Sequence, residues 1–529
     1  MGGTEVPSTP EEQLKLAHHL SDMDQSAPRD YVRRMYIFDF PDKTEQARAT
    51  SALRHGLKTA FKAYPHLTGR VGPDRDLPLD LNRVTLRYGD TDATREITDD
   101  IFQTSYRKKA NEYYRYLELC QMNMPVSHWK MEEFCLAPIS WKSEECVPAM
   151  TLKATFLGSG GLVLCFAFHN SLVDGRSINM FIEAFAKGVR DSNAINNIKE
   201  YVQAQDLAQS CEFDIDAMEG LWDETLFPEM DFDKSIPVYP YPHSGSCRLI
   251  KFPAKVIAEL RDACLAVIVK GLDDLASPYI SSVDVLSALM WVSLFRARHT
   301  LFNSKDHWKT AMFTTTVDLR RKDSDGLVPP DYFGNMSMDL AVASSTIRQV
   351  VHPETTVWPE DGPPRLAPAR IISIAICAYK IRQELLGIQP DNIEDRLAIL
   401  MTLYGVKVGS LVDSGADVDF GIPGTPREGA DGGRPRFVRK PWMTDNGMIN
   451  IMPRHGGSKG DDDWVVLVCT DGSALEQLCS AGELGRWASG FVDDQDPSLW
   501  WERRFGARRL PLDEEGDDDD GEDGHVTMQ

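Results

Sequence analysis

Phe166-Ala167-Phe168-His169-Asn170-Ser171-Leu172-Val173-Asp174-Gly175 is the stretch on which the reading of this chain turns. An apolar run from Leu162 to Phe168 drives into a polar cluster and then an Asp-Gly turn. A run of that length without polar interruption reads as a buried strand. A buried strand that ends in a histidine and a carboxylate marks a candidate site, because buried polar groups need partners or a job.

Working outward, residues 148 to 168 read as two strands around Gly158-Ser159-Gly160-Gly161, a hairpin. Arg176 to Arg190 reads as an amphipathic helix with Ile178, Phe181, Ile182, Phe185 and Val189 on one face. Upstream, Tyr31 to Phe40 reads as a strand stopped by Pro41. Residues 44 to 64 read as a helix with Ala47, Leu53, Leu57, Ala60, Phe61 and Tyr64 aligned, ended by Pro65. Residues 1 to 28 are polar with one short helix. Residues 191 to 245 turn polar and then proline-rich, through Pro228, Pro237, Pro240 and Pro242, which reads as a crossover.

The second half restarts with a strand at Cys247 to Phe252. Helices are expected near 254 to 270, 282 to 298 and 370 to 386. Strands are expected at 312 to 317, 447 to 452 and 464 to 469, with a loop over 413 to 435. Strands and helices mix without strict alternation, which points to α/β domains with mixed sheets (α+β in character), not a doubly wound sheet. The partition expected is a first domain at 1–190, a linker at 191–245, a second domain at 246–500 and an acidic tail at 505–529.

With 529 residues, 42% hydrophobic and 26% charged, the chain can bury a substantial core. Its net charge is −23, and Asp513, Glu514, Glu515, Asp517 to Asp520, Glu522 and Asp523 concentrate nine of the negative charges near the end. Such a block reads as a solubilising tail. No basic stripe is present to neutralise phosphates, which excludes nucleic acid as the expected partner. Ten cysteines are scattered without a Cys-x-x-Cys pair, so no zinc site is expected and a reducing cytoplasm suits them. No apolar run reaches 18 residues, so no membrane span is expected. The first residues lack the apolar core of a secretory signal.

Several short segments together resemble one family, the BAHD-type acyl-CoA-dependent acyltransferases, and within it the fungal trichothecene 3-O-acetyltransferase-like branch. His169 to Gly175 is similar to its His-His-x-x-x-Asp-Gly motif. Leu20-Ser21-Asp22-Met23-Asp24 resembles its opening Leu-Ser-x-x-Asp, and Tyr64-Pro65-His66-Leu67-Thr68-Gly69-Arg70 its Tyr-Pro-x-x-x-Gly-Arg. Ala288-Leu289-Met290-Trp291, Val317-Asp318-Leu319-Arg320 and Tyr332-Phe333-Gly334-Asn335 resemble its Ala-x-x-Trp, Val-Asp-x-Arg and Tyr-x-Gly-Asn segments. Gly447 to Pro453 resembles the strand after its Asp-Phe-Gly-Trp-Gly motif. These segments keep the family's order over about residues 20 to 470.

The resemblance implies two chloramphenicol-acetyltransferase-like domains with a channel between them. It implies no cofactor beyond acyl-CoA as co-substrate, no metal, a small-molecule acceptor and a monomer. In the family the second histidine of the motif takes a proton from the acceptor hydroxyl or amine, which then attacks the thioester. Imidazole suits that work because it titrates near neutral pH. The motif Asp pairs with an Arg of the other half, here Asp174 with Arg320, and Gly175 completes the turn.

Two departures stand out. The motif's catalytic position is Asn170, whose amide does not titrate but can donate and accept hydrogen bonds. His169 matches the first histidine, and alternation along a strand turns it away from Asn170's side. Only a bulge or a one-residue slip would bring His169 to the substrate. Asp419-Phe420-Gly421-Ile422-Pro423 stands where the family has Asp-Phe-Gly-Trp-Gly. His18, His19 and His455 are other conceivable bases. The expected function is acyl transfer in specialised metabolism. The alternatives are a cyclase or pericyclase in the same channel that uses Asn170 as hydrogen-bond donor, and a non-catalytic metabolite binder.

Overall fold

The computed structural model describes residues 16–18, 20–25, 27–74, 83–89, 97–109, 115–138, 145–201, 246–271, 279–298, 310–321, 330–351, 366, 368–387, 405–410, 415–427, 432–440, 447–454 and 462–493. The expected tail at 505–529 and most of the expected linker, 202–245, lie outside them.

The strands described in the first half are β1 (Leu16–His18), β2 (Tyr31–Asp39), β3 (Arg70–Pro73), β4 (Val84–Tyr88), β5 (Phe102–Arg107), β6 (Val147–Pro148), β7 (Met150–Leu157) and β8 (Gly161–His169). Those of the second half are β9 (Ser246–Phe252), β10 (Thr310–Asp318), β11 (Ser337–Thr346), β12 (Gly405–Ser410), β13 (Phe437–Arg439), β14 (Met448–Ile451), β15 (Trp464–Thr470) and β16 (Gly490–Asp493). They form a five-stranded sheet in the order β13-β2-β8-β7-β5, a seven-stranded sheet β11-β10-β12-β14-β15-β9-β16 and a four-stranded sheet β1-β4-β3-β6. The large sheets mix antiparallel pairs with parallel ones, β5 with β7, and β12 with β10 and β14. The mixed-sheet expectation holds.

The hairpin is where the sequence placed it. Leu157 pairs with Gly161 across the turn, and Gly160 takes a positive φ of 111° that a side chain would resist. β8 is buried along its whole length because it is central in its sheet. On one face Phe166 meets Phe185 edge-on at 5.1 Å, and Phe168 meets Phe181 at 5.1 Å, both from the helix Gly175–Arg190. That helix lies against a second, Gln46–Ala63. A Cβ on Gly56 would sit 2.5 Å from Val189, so glycine there permits the close approach. One detail of the expected face is corrected: Ala47 is exposed, and Ala49 is buried in its stead.

In the second half, the helix Ser282–Ala297 is buried on nearly every side, with Trp291 against Phe313 at 5.4 Å. Its apolar surroundings explain the run Val-Leu-Ser-Ala-Leu-Met-Trp-Val. A capping box between Ser281 and Asp284 starts it, and Arg382 of the helix Pro368–Gly387 clamps Asp284 at 2.6 Å.

The sheets do not divide where the chain was expected to divide. β13, from within 246–500, pairs antiparallel with β2, setting Phe437 opposite Ile37. Phe420 and Ile422 lie in the first-half core, with Phe420 5.2 Å from Phe38 and 5.5 Å from Tyr36. Phe333 stacks on Tyr64 at 4.1 Å, while Met23 of the first half enters the second-half core. The halves exchange side chains and a strand because each leaves apolar surface that the other covers.

Candidate active site

β8 ends at His169, and its ladder with β2 runs without a shift from Asp39 opposite Gly161 to Tyr31 opposite His169. The bulge that would carry His169 to Asn170's side is absent from that ladder. His169 is fully buried, with Tyr31 edge-on at 5.4 Å. Its Nδ1 accepts from the Ser171 N–H at 3.3 Å. Burial, reinforced by the nearby Arg29 charge, drives its pKa down to about 3. The ring is therefore neutral at physiological pH and a poor proton acceptor.

Asn170 opens a single 3-10 turn, Asn170–Leu172, and is partly exposed. Its backbone N–H extends the ladder by one bond, donating to the Asp30 carbonyl at 2.9 Å. Its side-chain amide donates to Asp30 Oδ1 at 3.1 Å. Its own carbonyl accepts from Asn335 Nδ2 at 2.9 Å. Asn335 in turn donates to the buried Asp24 Oδ1 from both its backbone and its side chain, each at 2.9 Å. Burial raises the Asp24 carboxyl pKa, and the hydrogen bonds from Asn335 and Ser21 only partly oppose it. The opening Leu-Ser-x-x-Asp segment and the Tyr-x-Gly-Asn segment thus meet at the back of the Asn170 turn.

Asp174 caps the helix Gly175–Arg190, with Oδ1 accepting from the Ser177 N–H at 2.9 Å. Its Oδ2 accepts from Arg320 Nη1 at 2.7 Å, the Met336 N–H at 2.9 Å and Ser337 Oγ at 2.9 Å. Burial would push this carboxyl up. The Arg320 charge and these bonds outweigh burial and hold it below the usual carboxylate range. Arg320 also donates to the carbonyls of Tyr332 at 3.0 Å and Gly334 at 2.8 Å, and to Asp318 at 3.0 Å. The side chains of Arg320 and Asp174 are only 2% and 4% exposed. Ser177 Oγ completes the junction, bonded to both the carbonyl and the N–H of Gly334.

Gly175 has no comparable constraint. A Cβ there would meet only Arg34 Nη2, at an ordinary 3.5 Å. Gly421 has a positive φ of 55°, and a Cβ on it would collide with Arg190 at 2.6 Å. Asp419 lies against Gly433, whose carbonyl accepts from the Phe420 N–H at 2.8 Å. Phe420 and Gly421 therefore form, with Asp419, a buckle on the first-half core.

His18 stacks on the buried His66 at 4.3 Å. His19 and His455 lie outside the described residues. Among the described residues no group of three His, Cys, Asp or Glu could hold a metal ion, and no helix is long and apolar enough to cross a membrane. Sequence reasoning missed Asp30 and Arg29. Arg29 donates to Ser171 Oγ at 2.8 Å, and only the pairing of β2 with β8 brings the two residues to the turn.

Comparisons with known proteins bear on this geometry. A family model described as "Transferase family" matches residues 130–359. The acyltransferase easC of Emericella nidulans is 24% identical over 64% of this chain and 69% of its own length. The communesin N16 acyltransferase cnsK of Penicillium expansum is 25% identical over 59% of this chain and 63% of its own length. The TRI101 protein of F. sporotrichioides, crystallised with coenzyme A and T-2, superposes with a TM-score of 0.62 at 16% identity, over 90% of this chain and all of that one. Its fold is this fold.

Proposed function

We propose that the chain is a BAHD-type acyl-CoA-dependent acyltransferase, one that transfers an acyl group from acyl-CoA to a hydroxyl or amine of a small specialised metabolite. The observation that carries the reading is the Asp174–Arg320 junction, 2.7 Å long and buried, which fixes the turn beginning at Asn170 against the second half. A turn held from both halves is a preorganised place to bring two substrates together, and positioning alone lowers barriers by roughly 7–11 kcal/mol in favourable cases.

In this proposal the acceptor's oxygen or nitrogen attacks the thioester carbonyl, the C–S bond breaks, and free CoA leaves. Asn170 orients the acceptor or donates to the carbonyl oxygen as negative charge develops there. Its amide cannot remove the proton, so the reaction runs without the family's imidazole base. Asp174 and Arg320 support the turn, while Asp419, Phe420 and Gly421 support the first-half core. A small-molecule acceptor is in keeping with neighbours crystallised with coenzyme A and T-2 or deoxynivalenol. We place the protein in the cytoplasm, which suits a chain of ten scattered cysteines, and take it as a monomer, as the family resemblance implies.

The test is thiol release from acetyl- and malonyl-CoA by the full-length chain, with a panel of hydroxylated and amine metabolites. Acceptor-dependent release together with an acylated product by mass spectrometry is expected. Silence from both the wild type and Asn170→His would overturn the reading.

A further inference from the structure

We infer that Asp30 is the group that accepts the acceptor's proton in this chain, in place of the histidine that Asn170 replaces. The inference rests on the acyl-transfer reading above. Three observations carry it. Asn170 stands at the motif's catalytic position, and one N–H of its amide donates to Asp30 Oδ1 at 3.1 Å. His169, the neighbouring imidazole, is buried behind a ladder that has no bulge to turn it around. Asp30 itself is exposed, and its main chain is fixed to the same turn by the Asn170 N–H at 2.9 Å.

The geometry makes the carboxylate and the amide one unit. A carboxylate offers about four lone-pair sites, and the Asn170 bond uses one of them. A hydroxyl or amine that reaches Asn170 therefore also comes within reach of Asp30. Arg29, tied to Ser171 Oγ at 2.8 Å, sets a cation against the same turn.

The step balances as follows. The acceptor's oxygen or nitrogen forms a bond to the thioester carbonyl carbon, and its proton passes to the Asp30 carboxylate. The tetrahedral intermediate then expels the thiolate as the C–S bond breaks. Asp30 returns the proton to sulfur, which leaves an acylated acceptor, free CoA thiol and a regenerated carboxylate. A carboxylate is a weaker base than imidazole. It can help here because the attacking atom's proton becomes acidic as the new bond forms.

The experiment uses the full-length chain with acetyl-CoA and the best acceptor of the panel. It compares wild type, Asp30→Asn, Asn170→His and the double variant, with thermal melts and acetyl-CoA binding measured on each. Asp30→Asn is expected to lower kcat by about 10²–10⁴-fold while acetyl-CoA binding is kept. The double variant is expected to regain turnover, because an imidazole at position 170 no longer needs Asp30. Its rate should then fall as pH drops through the imidazole range. Wild-type kcat in Asp30→Asn overturns the inference, as does a double variant that binds acetyl-CoA but stays inactive. If Asp30→Asn melts early, the double variant decides the matter by the same two outcomes. A silent wild type with an active Asn170→His overturns this inference alone. Silence from both overturns the acyl-transfer reading with it.

Discussion

The Asp174–Arg320 junction and the Asn170–Asp30 turn lie four residues apart in sequence and obey different physics. The junction is buried, and every carboxylate oxygen of Asp174 has a partner. The turn is partly exposed and held by main-chain bonds that any side chain at position 170 would allow. A buried, fully bonded ion pair tolerates no change to either member, because the survivor is left uncompensated. An exposed side chain on a fixed backbone can change without disturbing the fold. The comparison teaches why the side chain at position 170 can vary while the architecture behind it stays.

The comparison breaks most readily at Arg320. Arg320→Ala should destabilise the protein by roughly 3–5 kcal/mol, read by chemical denaturation, since it strands a buried Asp174. A loss below about 1 kcal/mol, the range of exposed pairs, would show that the junction is not the support described here.

Position 170 should respond in rate and not in stability. Asn170→His should raise turnover, by at most the roughly 10²–10⁴-fold a general base supplies, with the melting temperature held. Its pH–rate profile should gain an inflection near the imidazole pKa, with the rate falling on the acid side. A wild-type profile that already shows such an inflection would point to a histidine at work.

Acid stability separates the two faces of the strand end. His169 titrates at about 3 in the folded chain and near 6.5 when unfolded. The unfolded state therefore binds the extra proton between those values. Stability is full above about pH 6.5 and falls as pH drops towards 3, at up to about 1.4 kcal/mol per pH unit for one such group. His128, lowered to about 4, and the buried His66, lowered well below its usual value, act in the same direction. His169→Gln should therefore reduce the slope of melting temperature against pH between 6 and 4 without abolishing it. An unchanged slope would mean that His169 reaches solvent.

The smallest effect is expected at Gly175, where a Cβ finds room. Gly175→Ala, at the first position of a helix, should change stability by no more than about 1 kcal/mol, in the stabilising direction. A larger loss would reveal a constraint on this turn that the contacts do not show.

Strongly patterned elements were legible before any coordinates. β2, β7, β8 and the helices at 46–63, 175–190, 282–297 and 368–387 lie within a few residues of their expected limits. Each carries a long apolar period or a clear stop. β3, β4, β5, β12, β13 and β16 were not legible: they are short, most lie at or near sheet edges, and distant partners complete them. The site divides in the same way. The pairing of Asp174 with Arg320 was expected from resemblance, and the two lie 2.7 Å apart. Asp30 carries no motif, and its place beside Asn170 depends on which strand pairs with β8 and in what register.

The sequence by itself determined the two halves' periodic elements, the resemblance to one family, and a side chain at position 170 that does not titrate. Those are local facts, written in spacing and residue type. Only the tertiary structure decided that β13 and Phe420 complete the first-half sheet and core, that the β2–β8 ladder reaches His169 without a slip, and that Asp30 meets Asn170. Each of these depends on strand register and on contacts between residues far apart in the chain, which hydrophobic burial selects collectively and no short window of sequence encodes.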